Sequence, residues 1–316
     1  MRILALVPGG IGDQILFFPT LETLQQNYPD ATIDVLVEPR SRSAYRVCPT
    51  VSEVLVFDYK DRNGLADYLN LFGVLRDREY DLAVAASDRW TIGSLLWLNG
   101  ISTRVGYGDG NANTFFTRTV PWKTEQYVAQ MYHDLAGGLG IKTSCPPIKI
   151  AVPKPDIEWA EATQQRLGLK EGGYIVLHDT DNKKSDRNYP VKSWLKIVKD
   201  IQNKQPNVAI VLLQDVENAA FVAEMTHANP TLKVASPSDV GKMAALIAGA
   251  NLLLCTSGGT LDLALAVGTY TIALLSPEQV KKRLPAGNDN CIAVQAPSDA
   301  IAAIPANTVL EKIWQG

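Results

Sequence analysis

Leu252-Leu-Leu-Cys255-Thr256-Ser257-Gly258-Gly259-Thr260-Leu261-Asp262-Leu-Ala-Leu-Ala-Val-Gly268 reads as a buried strand that halts at small hydroxylated and glycine residues and then turns helical. A helix starting there aims its first N–H groups and its positive dipole end outward, past side chains too small to obstruct them. Such a start suits a diphosphate. A plain strand-to-helix turn also favours Ser or Thr as a cap, but two adjacent glycines cost helix stability and exceed what a cap requires.

The N-terminus holds a second loop of this kind with the opposite charge. Met1-Arg-Ile-Leu-Ala-Leu-Val7 reads as a strand, followed by Pro8-Gly9-Gly10-Ile11-Gly12-Asp13-Gln14 and an apolar helical pattern. The glycines permit a tight turn under open space. Asp13 repels phosphate but can accept a proton from a hydroxyl, or simply cap the helix.

Working outward, short Val/Ile/Leu runs alternate with helical periods. Strands are expected at Ile3 to Val7, Thr32 to Val37, Val54 to Phe57 and Leu82 to Ala86, and again at Tyr174 to Leu177, Ala209 to Leu213, Leu252 to Cys255 and Thr271 to Leu275. Phe17, Leu21, Leu24 and Tyr28 mark one helix face, with a bend or a restart expected at Pro19. Trp194, Ile197, Val198 and Ile201 mark a second face, and Val240, Met243, Ala244 and Ile247 a third. Strand–helix–strand alternation on this scale means parallel sheets with right-handed crossovers. Around residues 143–156 four prolines favour an extended connector, which divides the chain into domains 1–150 and 151–316, the last helix packing back on the first domain. Two such domains bind ligands in a cleft at their strand C-terminal edges.

Composition narrows the function. The 316 residues are 46% hydrophobic and 20% charged, as in a compact globular chain. A net charge of −3 gives no global field for nucleic acid. Four separated cysteines and three scattered histidines make neither a zinc nor a redox spacing, so no metal is expected and the thiols read as buried and reduced, in a cytoplasmic protein. No transmembrane span is evident. Trp90 and the Trp97-Leu98 stretch read as core packing.

Gly12-Asp13-Gln14-Ile-Leu-Phe-Phe-Pro19-Thr-Leu21, Tyr28-Pro29-Asp30-Ala31, Asn99-Gly100-Ile-Ser-Thr-Arg104-Val-Gly106-Tyr107 and the stretch from Val240 through Gly268 together resemble glycosyltransferase family 9, which includes the ADP-heptose lipopolysaccharide heptosyltransferases. The resemblance implies a GT-B architecture, two Rossmann-like domains facing across a cleft, with the acceptor on the N-terminal half and the nucleotide sugar on the C-terminal half. It implies inverting, metal-independent transfer without a cofactor, from a nucleotide-diphosphate sugar, with heptose a candidate, to a glycan or glycolipid such as a lipopolysaccharide core. It places the catalytic base on Asp13, a cation on Arg187 of Arg187-Asn188-Tyr189-Pro190, a ribose-binding acid on Glu217 and the phosphate loop on Thr256 to Thr260. Two positions depart from the family pattern: Thr256 stands in place of an Asp, and Asp262 or Leu261 in place of a His.

Inverting displacement at an anomeric carbon needs a base at the acceptor hydroxyl and charge stabilisation where the diphosphate leaves. The candidates are therefore Asp13 as base and Gly9, Gly10, Gly12 and Gln14 as the acceptor-side loop. On the donor side stand Thr256, Ser257, Gly258, Gly259 and Thr260, with Asp262 beside them, Arg187 ahead of Lys184 as cation, and Glu217. His178 reads as structural. The run Lys281-Lys282-Arg283 is a solvated helix face or a contact for phosphate or an anionic inner-membrane surface. The rival readings are a non-catalytic relative whose donor site has decayed, serving as a binding or scaffold protein, and a dinucleotide enzyme. Gly9-Gly10-Ile11-Gly12 lacks the spacing the latter needs.

Overall fold

The computed structural model describes residues 1–58, 64–108, 111–169, 173–179 and 188–315. The chain forms two compact units, Met1–Ala151 and Val152–Gly316. The first runs β1 (Arg2–Val7), α1 (Ile11–Asn27), β2 (Thr32–Val37), a 3₁₀ segment (Pro39–Val47), β3 (Glu53–Val56), α2 (Leu65–Arg76), β4 (Leu82–Ala85), α3 (Trp90–Leu98), β5 (Thr103–Tyr107), β6 (Arg118–Val120) and α4 (Val128–Gly137). The second runs α5 (Lys154–Arg166), β7 (Tyr174–His178), α6 (Val191–Lys204), β8 (Ala209–Leu213), α7 (Ala219–Ala228), β9 (Lys233–Ala235), α8 (Val240–Ala248), β10 (Leu252–Thr256), α9 (Gly259–Val267), β11 (Thr271–Leu275), α10 (Pro277–Arg283), β12 (Cys291–Gln295) and α11 (Ala306–Gln315).

Each unit holds one six-stranded, all-parallel sheet, ordered β3-β2-β1-β4-β5-β6 and β12-β11-β10-β7-β8-β9. Counted from the first strand of its unit, each sheet has the same doubly wound order. The order reverses between β1 and β4 in one sheet and between β7 and β10 in the other. Those central strands are buried along almost their whole length, which is why they stand out as unbroken apolar runs. β5, β6, β9 and β12 were not foreseen. The last three are short or partly exposed strands, and β5 carries Arg104 and Gly106.

In α6 the buried residues are Trp194, Ile197, Val198 and Ile201, the expected face. Their burial contributes on the order of 8 kcal/mol, an upper bound because a real unfolded chain hides part of that area already. α2 and α3 cover the sheet face that carries Leu4 and Leu6. A Cβ at Gly106 would collide with the Phe116 ring, so this motif position needs glycine for close packing. Arg104 of the same motif donates to the carbonyls of Phe115 and Ile101 and pins that turn.

Several expectations are corrected. α1 is a single helix that continues through Pro19 rather than restarting there, with buried residues on both sides of the proline. The proline-rich connector turns helical at its end, since Pro153 is the N-cap of α5 and Pro155 lies in its first turn, where a missing N–H costs nothing. Trp90, Trp97 and Leu98 are not core residues: they are 56%, 54% and 56% exposed, because α3 turns Ile92, Leu95 and Leu96 to the sheet instead. Cys145 and Cys291 are only partly buried, while Cys48 and Cys255 are buried. Within its own unit the last helix packs on α6, β11 and β12, with Trp314 Nε1 donating to Asp200 at 2.8 Å. Among the described residues no helix is long and apolar enough to cross a membrane.

Candidate functional site

In the first unit the loop after β1 is fixed from both sides. Asp13 stands in the first turn of α1, and its Oδ2 accepts the Gly10 N–H at 2.9 Å. Gly9 adopts φ +120°, and a Cβ on it would collide with the Asp13 carboxylate. The carboxylate therefore rests on the bare face of Gly9, in space only glycine leaves. Glu38, buried at the end of β2, accepts the Gly9 N–H at 3.3 Å, and Ser41 donates to the Gly9 carbonyl. Arg40 holds the other Glu38 oxygen at 2.8 Å.

Gln14 is corrected from loop residue to core residue. It is fully buried, with Nε2 donating to the Val7 carbonyl at 3.0 Å and Oε1 accepting from Tyr45 at 2.7 Å. Gly12 is buried as well. Gly9, Gly10 and Asp13 thus form the partly exposed rim of this loop.

In the second unit β10 ends at Thr256, Gly258 caps α9, and the amides of Leu261 and Asp262 turn back to the Gly258 carbonyl. The amides of Gly259 and Thr260 come earlier in the helix and have no intrahelical acceptor by position. Ser257 accepts from Gln279 Nε2 at 2.6 Å. Thr256, counted with the donor loop, turns its hydroxyl inward: at 2% exposure it donates to Asp179 Oδ1 at 2.8 Å. Thr260 is buried too, its hydroxyl 4.0 Å from Met243 Sδ, so only its amide can serve a ligand.

Asp262 is fully buried one turn into α9 and pairs with Arg283 at 3.2 Å. Its charge is neutralised by a cation rather than turned on an incoming anion. The run Lys281-Lys282-Arg283 accordingly splits: Arg283 joins Asp262, and Lys282 pairs with Glu278 at 2.6 Å on the surface of α10. Gln279 and Arg283, four residues apart, lay one face of α10 along the start of α9.

Glu217 is exposed in the turn after β8, two strands from β10, and its N–H donates to Asp215. His178, buried at the end of β7, has its Nε2 3.0 Å from Asp215 Oδ2. Arg187 and Lys184 lie outside the described residues. A concavity of about 400 Å³ lined by Trp159, Thr163, Arg166 and Val234 sits at the β9 edge, three strands from β10, and uses none of these groups. Burial holds the Cys48 and Cys145 thiols up at about 11 and Cys291 at about 12, which leaves none of them a ready nucleophile.

Sequence reasoning missed Glu38, Asp179, Gln279 and the pairing of Arg283. Glu38 and Asp179 carried a readable signal, since each is an acid just beyond the C-terminal end of an apolar strand, where open parallel sheets gather their ligand groups. The partners on α10 carried none.

The sequence profile of glycosyltransferase family 9 (heptosyltransferase) matches residues 68–312. The chain is 25% identical to the photosynthetic NDH subunit of subcomplex B 1, chloroplastic, of Arabidopsis thaliana, over 98% of this chain and 72% of that protein. It is 22% identical to lipopolysaccharide heptosyltransferase 3 of Escherichia coli, over 83% of this chain and 80% of the other. Among solved structures, E. coli ADP-heptose lipopolysaccharide heptosyltransferase II superposes with a TM-score of 0.82 at 16% identity, covering 100% of this chain and 98% of that one. That likeness gives the fold, an α/β GT-B architecture of two Rossmann-like units. The chain belongs to glycosyltransferase family 9.

Proposed function

We propose that the protein is an inverting glycosyltransferase that moves a sugar from a nucleoside diphosphate to a hydroxyl of a glycan or glycolipid. The observation that carries this reading is the start of α9: glycine amides at the C-terminal end of a central strand, beside a hydroxyl, with the nearby Asp262 charge offset by Arg283. That arrangement stabilises the negative charge that builds on a departing diphosphate. Domain 1–150 takes the acceptor, with Asp13 removing its proton at the Gly9–Gly10 rim. Domain 151–316 takes the nucleotide sugar through Ser257 and the amides of Gly258, Gly259 and Thr260. Arg187, Lys184 and Glu217 complete the donor side, and helix amides plus a cation make a metal unnecessary. The E. coli relative is named a lipopolysaccharide heptosyltransferase and a structural neighbour an ADP-heptose lipopolysaccharide heptosyltransferase, which favours ADP-heptose as donor and a lipopolysaccharide core as acceptor; contact with the inner-membrane surface belongs to the same proposal.

A second reading has its own support. The Arabidopsis relative is named as a subunit of a photosynthetic NDH subcomplex. In this chain Asp13 serves as a cap to Gly10, and the Thr256 hydroxyl is turned into the core. On this reading the protein is a non-catalytic member of an assembly, its donor site retained only as structure. Calorimetric titration with ADP, UDP, GDP and CMP sugars separates the two. Saturable binding of at least one, followed by transfer to a glycan acceptor, is expected of the enzyme. Silence towards all of them at millimolar concentration overturns it.

A further inference from the structure

Asp179 follows β7 directly and is 2% exposed. Its Oδ1 accepts the Thr256 hydroxyl at 2.8 Å and its Oδ2 the Trp194 indole N–H at 2.7 Å. Its carbonyl accepts from Asn218 Nδ2 at 3.1 Å, and the same nitrogen donates to the Leu213 carbonyl at 2.9 Å. One residue thus ties together the ends of β7, β8 and β10 and the body of α6. The Asp179–Thr256 bond spans the point where the strand order reverses, and Thr256 is two residues from the N-cap of α9.

We propose that Asp179 is a positioning residue for the diphosphate loop: through Thr256 it fixes where Ser257 and the amides of Gly258 to Thr260 stand, and so sets affinity for the nucleoside diphosphate. The proposal rests on the donor-site reading above and deepens it. A buried carboxylate is a costly way to accept two hydrogen bonds, because an amide or an apolar residue would fill the space without carrying a charge. Burial pushes the Asp179 carboxyl up to about 6, against the bonds from Trp194 and Thr256 and the neighbouring His178, which pull it down. Ionised, it accepts both bonds; protonated, it gives up one acceptor and loosens its hold on Thr256. Around it among the described residues stand His178, held to Asp215, and the Cys255 thiol, which feels both Asp179 and Asp262.

The test combines ligand-free amide NMR of the loop with calorimetry of ADP, UDP and GDP, on the wild type, Asp179→Asn and Asp179→Ala. The Gly258 and Gly259 amides of the wild type are expected to titrate with a midpoint near 6. Asp179→Asn abolishes that titration, and its amide still accepts from Trp194 and donates to Thr256. Asp179→Ala weakens nucleotide binding by about tenfold, the scale of one or two lost buried hydrogen bonds, and Asp179→Asn restores it. Loop amides that do not titrate, or that titrate unchanged in Asp179→Asn, overturn the proposal. So does undiminished nucleotide affinity in Asp179→Ala. A wild type that binds none of the three nucleotides overturns the donor-site reading instead, and the NMR titration still decides whether Asp179 sets the loop.

Discussion

The loops after β1 and β10 are built from the same parts and handle charge in opposite ways. Both follow a buried central strand, both contain adjacent glycines, and both lead into a helix. The first answers its own helix start with a carboxylate, since Asp13 accepts the Gly10 N–H and Glu38 accepts the Gly9 N–H. The second has its carboxylate one position further along the helix, at the fully buried Asp262, which pairs with Arg283, and the amides of Gly259 and Thr260 have no intrahelical acceptor by position. An N-terminal carboxylate nearer the rim or deeper in the helix thus separates a loop suited to taking a proton from one suited to seating an anion.

The comparison breaks most decisively at Asp13. Asp13→Asn keeps the cap geometry but cannot take a proton, so turnover is expected to fall by about 100-fold or more while nucleotide titrations stay unchanged. Normal turnover in that variant reduces Asp13 to a cap. On the other loop, Arg283→Ala leaves the Asp262 carboxylate buried without this cation, and chemical denaturation should show a loss of about 3 kcal/mol. Arg283→Met with Asp262→Leu recovers much of it. If Arg283→Ala unfolds like the wild type, the pair is not what neutralises the second loop.

pH sharpens the contrast further. Folding raises the Asp179 carboxyl from 3.8 to about 6, so the folded state holds this proton more tightly than the unfolded chain does. The cost of ionising it in place is absent below the unfolded value, grows as pH rises through the window, and is complete above the folded value. This group's contribution to stability therefore declines by about 3 kcal/mol on going from acid to neutral pH. Denaturation midpoints of the wild type measured across that range should approach those of Asp179→Asn in acid and fall below them at neutral pH. The smallest effect is expected at Gly9→Ala, where a left-handed backbone and the Asp13 carboxylate both oppose a side chain, at about 2 kcal/mol by thermal unfolding. Gly10→Ala, with ordinary φ, is the control.

Much of the fold was legible in the chain. A strand buried on both faces reads as an apolar run, and β1, β4, β7, β8, β10 and β11 were readable for that reason, as was β2 despite its buried Asp34. β6, β9 and β12 were not, because half-covered strands carry polar residues such as Arg118, Lys233 and Gln295 and lose that signature. Trp97 misled because size and apolarity suggest the core, whereas the face of α3 that meets the sheet was already filled by smaller aliphatic residues. Of the candidate site, the two glycine loops and Asp13 were visible as local patterns, while their partners Glu38, Asp179 and Gln279 and the pairing of Arg283 with Asp262 were not.

The amino-acid order alone determined two parallel α/β halves, the positions of both glycine loops and the kinship to glycosyltransferase family 9, since each of these is written in residues adjacent along the chain or spaced at a helical or strand period. Only the tertiary structure decided which charges meet. Asp179 and Thr256 lie 77 positions apart, Asp262 and Arg283 lie 21 apart, and Gly9 meets Glu38 across 29. Electrostatic and hydrogen-bond energies depend on distances through space that folding sets, and no local pattern encodes them.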